Sequence, residues 1–126
     1  MTAASVKKPP MGMGIGANSI SIYSNNIPQI YARVNRLAQK WQMSREGFMR
    51  AACVWAILFR DAAPREVRAL FTGRPSVFSE AAKLLALAFF LVYVEATDRI
   101  AALGSDEFVD AASCWNIAIR LAGVAV

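Results

Sequence analysis

Between Asn18 and Phe59 the chain runs Ser19-Ile20-Ser21-Ile22-Tyr23, then Ile27-Pro28-Gln29-Ile30-Tyr31, then, after Met43, Ser44-Arg45-Glu46-Gly47-Phe48. In the first segment strict alternation puts Ile20 and Ile22 on one face and Ser19, Ser21 and Tyr23 on the other, the pattern of a half-buried strand. A strand this short needs a partner for its backbone groups, and the sequence offers no second convincing strand. Pairing with the same strand of a second molecule is the predicted solution.

Asn25-Asn26 breaks the strand, and Ile27-Pro28 opens a helix with proline in the first turn, where its missing N–H costs nothing. Ile27, Ile30, Tyr31, Val34, Leu37, Ala38 and Trp41 then recur at three- and four-residue steps as one apolar face. Arg33, Arg36 and Lys40 fall off that stripe. Met43-Ser44 ends the helix, and Ser44 is a good N-cap for a second one with the stripe Phe48, Ala51, Ala52, Trp55, Leu58 and Phe59. Gly47 stands where a capping box would carry its glutamate.

Working outward, Met1–Ala17 holds Lys7, Lys8, Pro9-Pro10 and three spaced glycines, and reads as a flexible basic arm. The glycines lack the flanking strand and helix of a phosphate loop. Downstream, Pro64 and Gly73 bracket a short helix around Glu66 to Phe71. A long helix is predicted from about Val77 to Leu103, closed by Gly104, and a last one from Ser105-Asp106-Glu107 to about Ala122. The long helix is apolar on nearly every side from Ala81 to Val94, as in a helix covered by neighbours or by a second subunit. Its most apolar run, Leu84–Val94, is shorter than the ~20 residues of a membrane span. No export signal is legible, and a cytoplasmic location is expected.

The 126 residues are 56% hydrophobic and contain no histidine, which removes the commonest general base and metal ligand. Cys53 and Cys114 lie far apart in helical patterns and read as buried thiols. Asp106 and Asp110 are one turn apart, a spacing that solvated acidic faces share. No enzyme, cofactor or metal is expected. Charge is divided along the chain: Met1–Pro75 carries eleven Lys/Arg against three acids, +8, whereas Ser76–Val126 carries three against six, −3. The front of the chain is therefore the part expected to meet an anion.

Over about Asn18–Phe59 the chain resembles the ribbon-helix-helix family, the fold of the Arc and MetJ repressors. Ser19–Tyr23 is similar to its ribbon strand, Ile27-Pro28 to its strand-to-helix junction, Arg33–Ala38 to its first helix, and Ser44–Ala52 to its turn and second helix. The resemblance implies a mainly α protein: a ribbon-helix-helix module over 18–60, its strand paired between subunits, followed by a helical dimerisation or oligomerisation lobe over 61–126. It implies a homodimer or tetramer that places a two-stranded ribbon in the major groove of duplex DNA. Carried over, the base-contacting residues are Ser19, Ser21 and Tyr23, and the phosphate anchor is Ser44 with Arg45. Arg33, Arg36 and Lys40 add phosphate contacts, and Lys7 and Lys8 belong to the arm. The function implied is that of a transcriptional regulator, or of a plasmid partition or conjugation (relaxosome) accessory factor, with a protein partner for the C-terminal helices as a further expectation. The reading from another class is a helical protein-interaction or membrane-surface protein whose basic half meets acidic lipid.

Overall fold

The computed structural model describes residues 21–22 and 26–125. These residues are mainly helical: α1 (Ile27–Lys40), α2 (Arg45–Leu58), α3 (Arg65–Arg68), α4 (Glu80–Ala102) and α5 (Ala111–Ala122). Three 3-10 turns, at Arg60–Ala62, Ala69–Phe71 and Pro75–Val77, carry the chain from α2 to α4. Among the described residues, strand pairing is a two-residue ladder between β1 (Ser21–Ile22) and β2 (Val124–Ala125).

The first two helices begin where local chemistry starts them. Pro28 sits in the first turn of α1. Ser44 caps α2, its hydroxyl accepting the Gly47 N–H at 3.0 Å. A Cβ on residue 47 would lie 3.1 Å from that Oγ, so glycine leaves room for the cap. Between the helices, the N–H of Met43 reaches the Ala38 carbonyl at 2.9 Å and that of Gln42 the Gln39 carbonyl at 3.1 Å. This is a Schellman closure with Gln42 in the left-handed position, φ 58°, that glycine usually fills. Gly104 fills the matching position at the end of α4, φ 67°.

The helix α4 is the centre of the molecule. Every residue from Leu84 to Val92 is buried, and α1, α2 and α5 all pack against it. Ile30, Val34 and Ala38 of α1 and Phe48, Ala52, Cys53 and Ala56 of α2 join these residues in one core. The 18–60 and 61–126 segments thus share one interior. Stacked and tilted rings run continuously through it, from Trp41 and Phe48 by way of Phe90, Trp55, Tyr93, Phe59 and Phe89 to Trp115, Phe71 and Phe78. Such ring pairs add about 0.5–1.5 kcal/mol each beyond the area they bury. Two hydrogen bonds tie the ends of the chain to its front: Trp115 Nε1–H donates to the Phe59 carbonyl at 2.8 Å, and Asn26 Nδ2 to the Leu121 carbonyl at 3.0 Å.

Several expectations are corrected. Within the chain α4 covers the stripes of α1 and α2, while Leu58, Val77, Leu103 and Phe108 stay exposed. The chain does have a second strand, β2, which pairs with β1: Ser21 stands opposite Ala125 and Ile22 opposite Val124. The rest of Ser19–Tyr23, and the arm with Lys7 and Lys8, lie outside the described residues. Leu58 is 66% exposed, and Cys53 and Ala56 take the inward positions on α2. The long helix starts at Glu80 behind an N-cap at Ser79, with Val77 in a 3-10 turn. The last helix starts at Ala111, not Ser105. The Ser105 hydroxyl is engaged locally, accepting the Glu107 N–H at 3.1 Å, while Asp110 accepts the Ala112 N–H at 3.2 Å as the true cap.

Candidate anion-binding site

Two grooves flank α4, and between them they contain all the cations the sequence singled out on α1 and α2. The smaller, about 180 Å³, lies between α1 and the second half of α4. Arg33, Arg36 and Lys40 line its α1 side, at spacings that put them on one helix face. Glu95 and Asp98 line the α4 side. Arg33 is paired with Glu95 through Nη2 and Oε1. The sequence reading left these three cations to phosphate or solvent; the structure pairs Arg33 with Glu95, while Arg36 and Lys40 are in no ion pair among the described residues.

The larger is an open cleft of about 550 Å³ between α1, the start of α2, the first half of α4 and the Pro75-Ser76 turn. Its walls carry Val34, Met49, Cys53 and Leu87, one apolar side chain or more from each of the three helices. Arg45, Arg50 and Lys83 stand around it with a single acid, Glu46. The Arg45 guanidinium lies over the Tyr31 ring, 5.5 Å from its centroid, which fixes a long side chain at a cation–π gain of about 0.5–1 kcal/mol. Lys83 makes an exposed contact to Glu80 at 3.3 Å. Among the described residues neither Arg45 nor Arg50 is in an ion pair.

Burial pushes the Cys53 thiol above its ordinary value, and the charge of Lys83 partly offsets that rise. Cys114 is raised mainly by burial and further by Asp110, with Arg99 opposing. Neither thiol is poised as a nucleophile, since the reactive thiolate is disfavoured at both. Both are free and buried. Asp110 moves the other way, its carboxyl held below the usual range by the Ser113 hydroxyl first and by backbone N–H groups after it.

Set against the sequence expectations, the structure brings Arg45 into the larger cleft beside Ser44, whose oxygen is already occupied as a helix cap. Ser19, Tyr23, Lys7 and Lys8 lie outside the described residues, as does the Ser21 side chain. Arg50 and Lys83 were not singled out in the sequence. Arg50 follows Glu46 by one turn on the exposed side of α2, a signal that could have been read. Lys83 gives no local signal, because only the packing of α4 on α2 brings it near. Among the described residues no group of three or more His, Cys, Asp or Glu could hold a metal ion, and no helix is long and apolar enough to cross a membrane. Comparisons with protein-family models, with curated proteins and with solved structures find no match to this chain.

Proposed function

We propose that the protein binds duplex DNA through its front half, with the start of α2 as the phosphate-contacting surface. The observation that carries this reading is the concentration of Arg45, Arg50 and Lys83 around one short acid-poor opening at the capped N-terminus of α2. There the unpaired N–H groups of the first helical turn add positive potential. In the resembling ribbon-helix-helix family the same helix end meets phosphate, and Arg45 is the residue that matches. Arg36 and Lys40 extend the surface, and Arg33 does so only at the expense of its pair with Glu95. A second copy pairing through the edge of β1 away from β2, with Ser19, Ser21 and Tyr23 turned to the bases, is part of the proposal. The role proposed is that of a transcriptional regulator or plasmid accessory factor.

The test is a titration of the full chain with duplex DNA over a range of salt. Each phosphate neutralised contributes about −0.9 to the slope of log K against log salt. Because an acidic membrane surface gives a similar dependence, anionic vesicles are added as competitors. Duplex should hold the protein against vesicles of equal charge. Release from duplex onto vesicles would favour the membrane-surface reading.

A further inference from the structure

The larger cleft is built differently from a phosphate-backbone contact. A surface that only tracks phosphates needs cations and no concavity, whereas here three helices leave an opening of about 550 Å³, lined with aliphatic and sulfur-bearing side chains beneath the charges. That volume falls within the roughly 300–1,000 Å³ of small-molecule sites, which combine an apolar lining with a few placed polar groups. The charged groups are of one sign except for Glu46. Arg45 is held in place by Tyr31, and Lys83 projects from α4 across the cleft from α2.

We propose that this cleft is a binding site for a small organic anion with an apolar body, its carboxylate or similar headgroup meeting Arg50, Lys83 and Arg45, its body lying on Met49, Cys53 and Leu87. The apolar wall excludes a bare inorganic anion as the preferred ligand, since such an ion would leave the wall in contact with water. The cations exclude a neutral hydrocarbon, because filling the cleft with one would strip them of hydration without replacing it. The chain's own N-terminal arm carries Lys7 and Lys8 and no acid before Glu46, so its charge opposes this lining. Since Arg45 also belongs to the proposed DNA surface, an occupied cleft would weaken duplex binding. The site itself stands without that reading.

The experiment is calorimetric titration of the full chain with decanoate, kept below its aggregation concentration, with decanol and inorganic phosphate as the two half-ligands. One decanoate should bind per chain, and each half-ligand should bind at least about tenfold more weakly. Arg50→Gln and Lys83→Gln alter exposed or half-exposed side chains, and each should weaken decanoate about fivefold or more. Met49→Trp fills the cleft from a half-buried position without changing its charge, and should abolish decanoate binding while leaving the helical circular dichroism intact. Absence of binding to the full chain, equal binding of decanol, or undiminished binding in Met49→Trp would each overturn the proposal. No DNA is present in these titrations, so failure of the DNA reading would not change their outcome.

Discussion

The two grooves on either side of α4 contain the same residue types and differ in what faces them. Between α1 and α4, Arg33, Arg36 and Lys40 look onto Glu95 and Asp98. Between α2 and α4, Arg45, Arg50 and Lys83 share their opening with Glu46 alone and with an apolar wall. In a linear sequence the first three cations look the better anion site, since they recur on one face of one helix. Folding tells the two apart, because α4 brings Glu95 and Asp98 to one groove and Lys83, itself in contact with Glu80, to the other. Charge counted along a chain gives total potential; only tertiary packing says which charges are already compensated.

The largest effect that would break this comparison comes from α4, the helix both grooves share. Phe90 of α4 touches Trp41 at 6.1 Å, Phe48 at 5.3 Å and Trp55 at 5.8 Å between ring centroids, seating the end of α1 and the body of α2 together. Phe90→Ala should cost about 3–5 kcal/mol in urea unfolding, as for other buried aromatic truncations. A loss below about 1 kcal/mol would mean that α1 and α2 are not anchored on α4, and that neither groove has the form described. Next in size is the cap on the cleft side. Ser44→Ala removes the acceptor for the Gly47 N–H and should cost about 1 kcal/mol of stability.

On the other groove, Arg33 and Glu95 have side chains 27% and 43% exposed, so their pairing is screened by water. Arg33→Ala should change stability by roughly 0–1 kcal/mol. A double-mutant cycle with Glu95→Ala isolates the coupling; a clearly larger value would mark that groove as a structural clamp. Smallest is a control away from both surfaces. Because the folded state holds the Asp110 carboxyl below its ordinary range, the stabilisation it gives is present above the unfolded-state value and is lost as pH falls through the folded one. Thermal melts of the native chain should therefore lose more on acidification than those of Asp110→Asn, and parallel losses would remove Asp110 from the account.

Much of the helical frame was legible because its signals are local. Ile27-Pro28 and Ser44 mark the starts of α1 and α2, and the unbroken apolar run at Leu84–Val92 marks the central helix. The start of α5 was misread because Ser105 offers the same capping chemistry as Asp110, and sequence does not say which of the two spends its side-chain oxygen on a local turn. The inward side of α2 was misread at Leu58 because α4 approaches over the small residues Ala52, Cys53 and Ala56. The candidate site was legible only in part: Arg45 came from the resemblance to the ribbon-helix-helix turn, whereas the pairing of Arg33 with Glu95 spans 62 positions and leaves no trace in either neighbourhood.

The most direct measurement compares two variants against the same random duplex at one salt concentration: Arg45→Ala/Arg50→Ala for the open cleft, and Arg33→Ala/Arg36→Ala for the groove that Glu95 and Asp98 line. Each removes two guanidinium groups, so any difference reflects what surrounds them. The expected result is that the Arg45/Arg50 variant loses most of the affinity and about 1.8 in salt slope, the sum of two contacts of about 0.9 each, while the Arg33/Arg36 variant loses distinctly less on both counts. Equal losses, or a greater loss from Arg33/Arg36, would contradict the claim that the start of α2 is the anion-binding face of this protein.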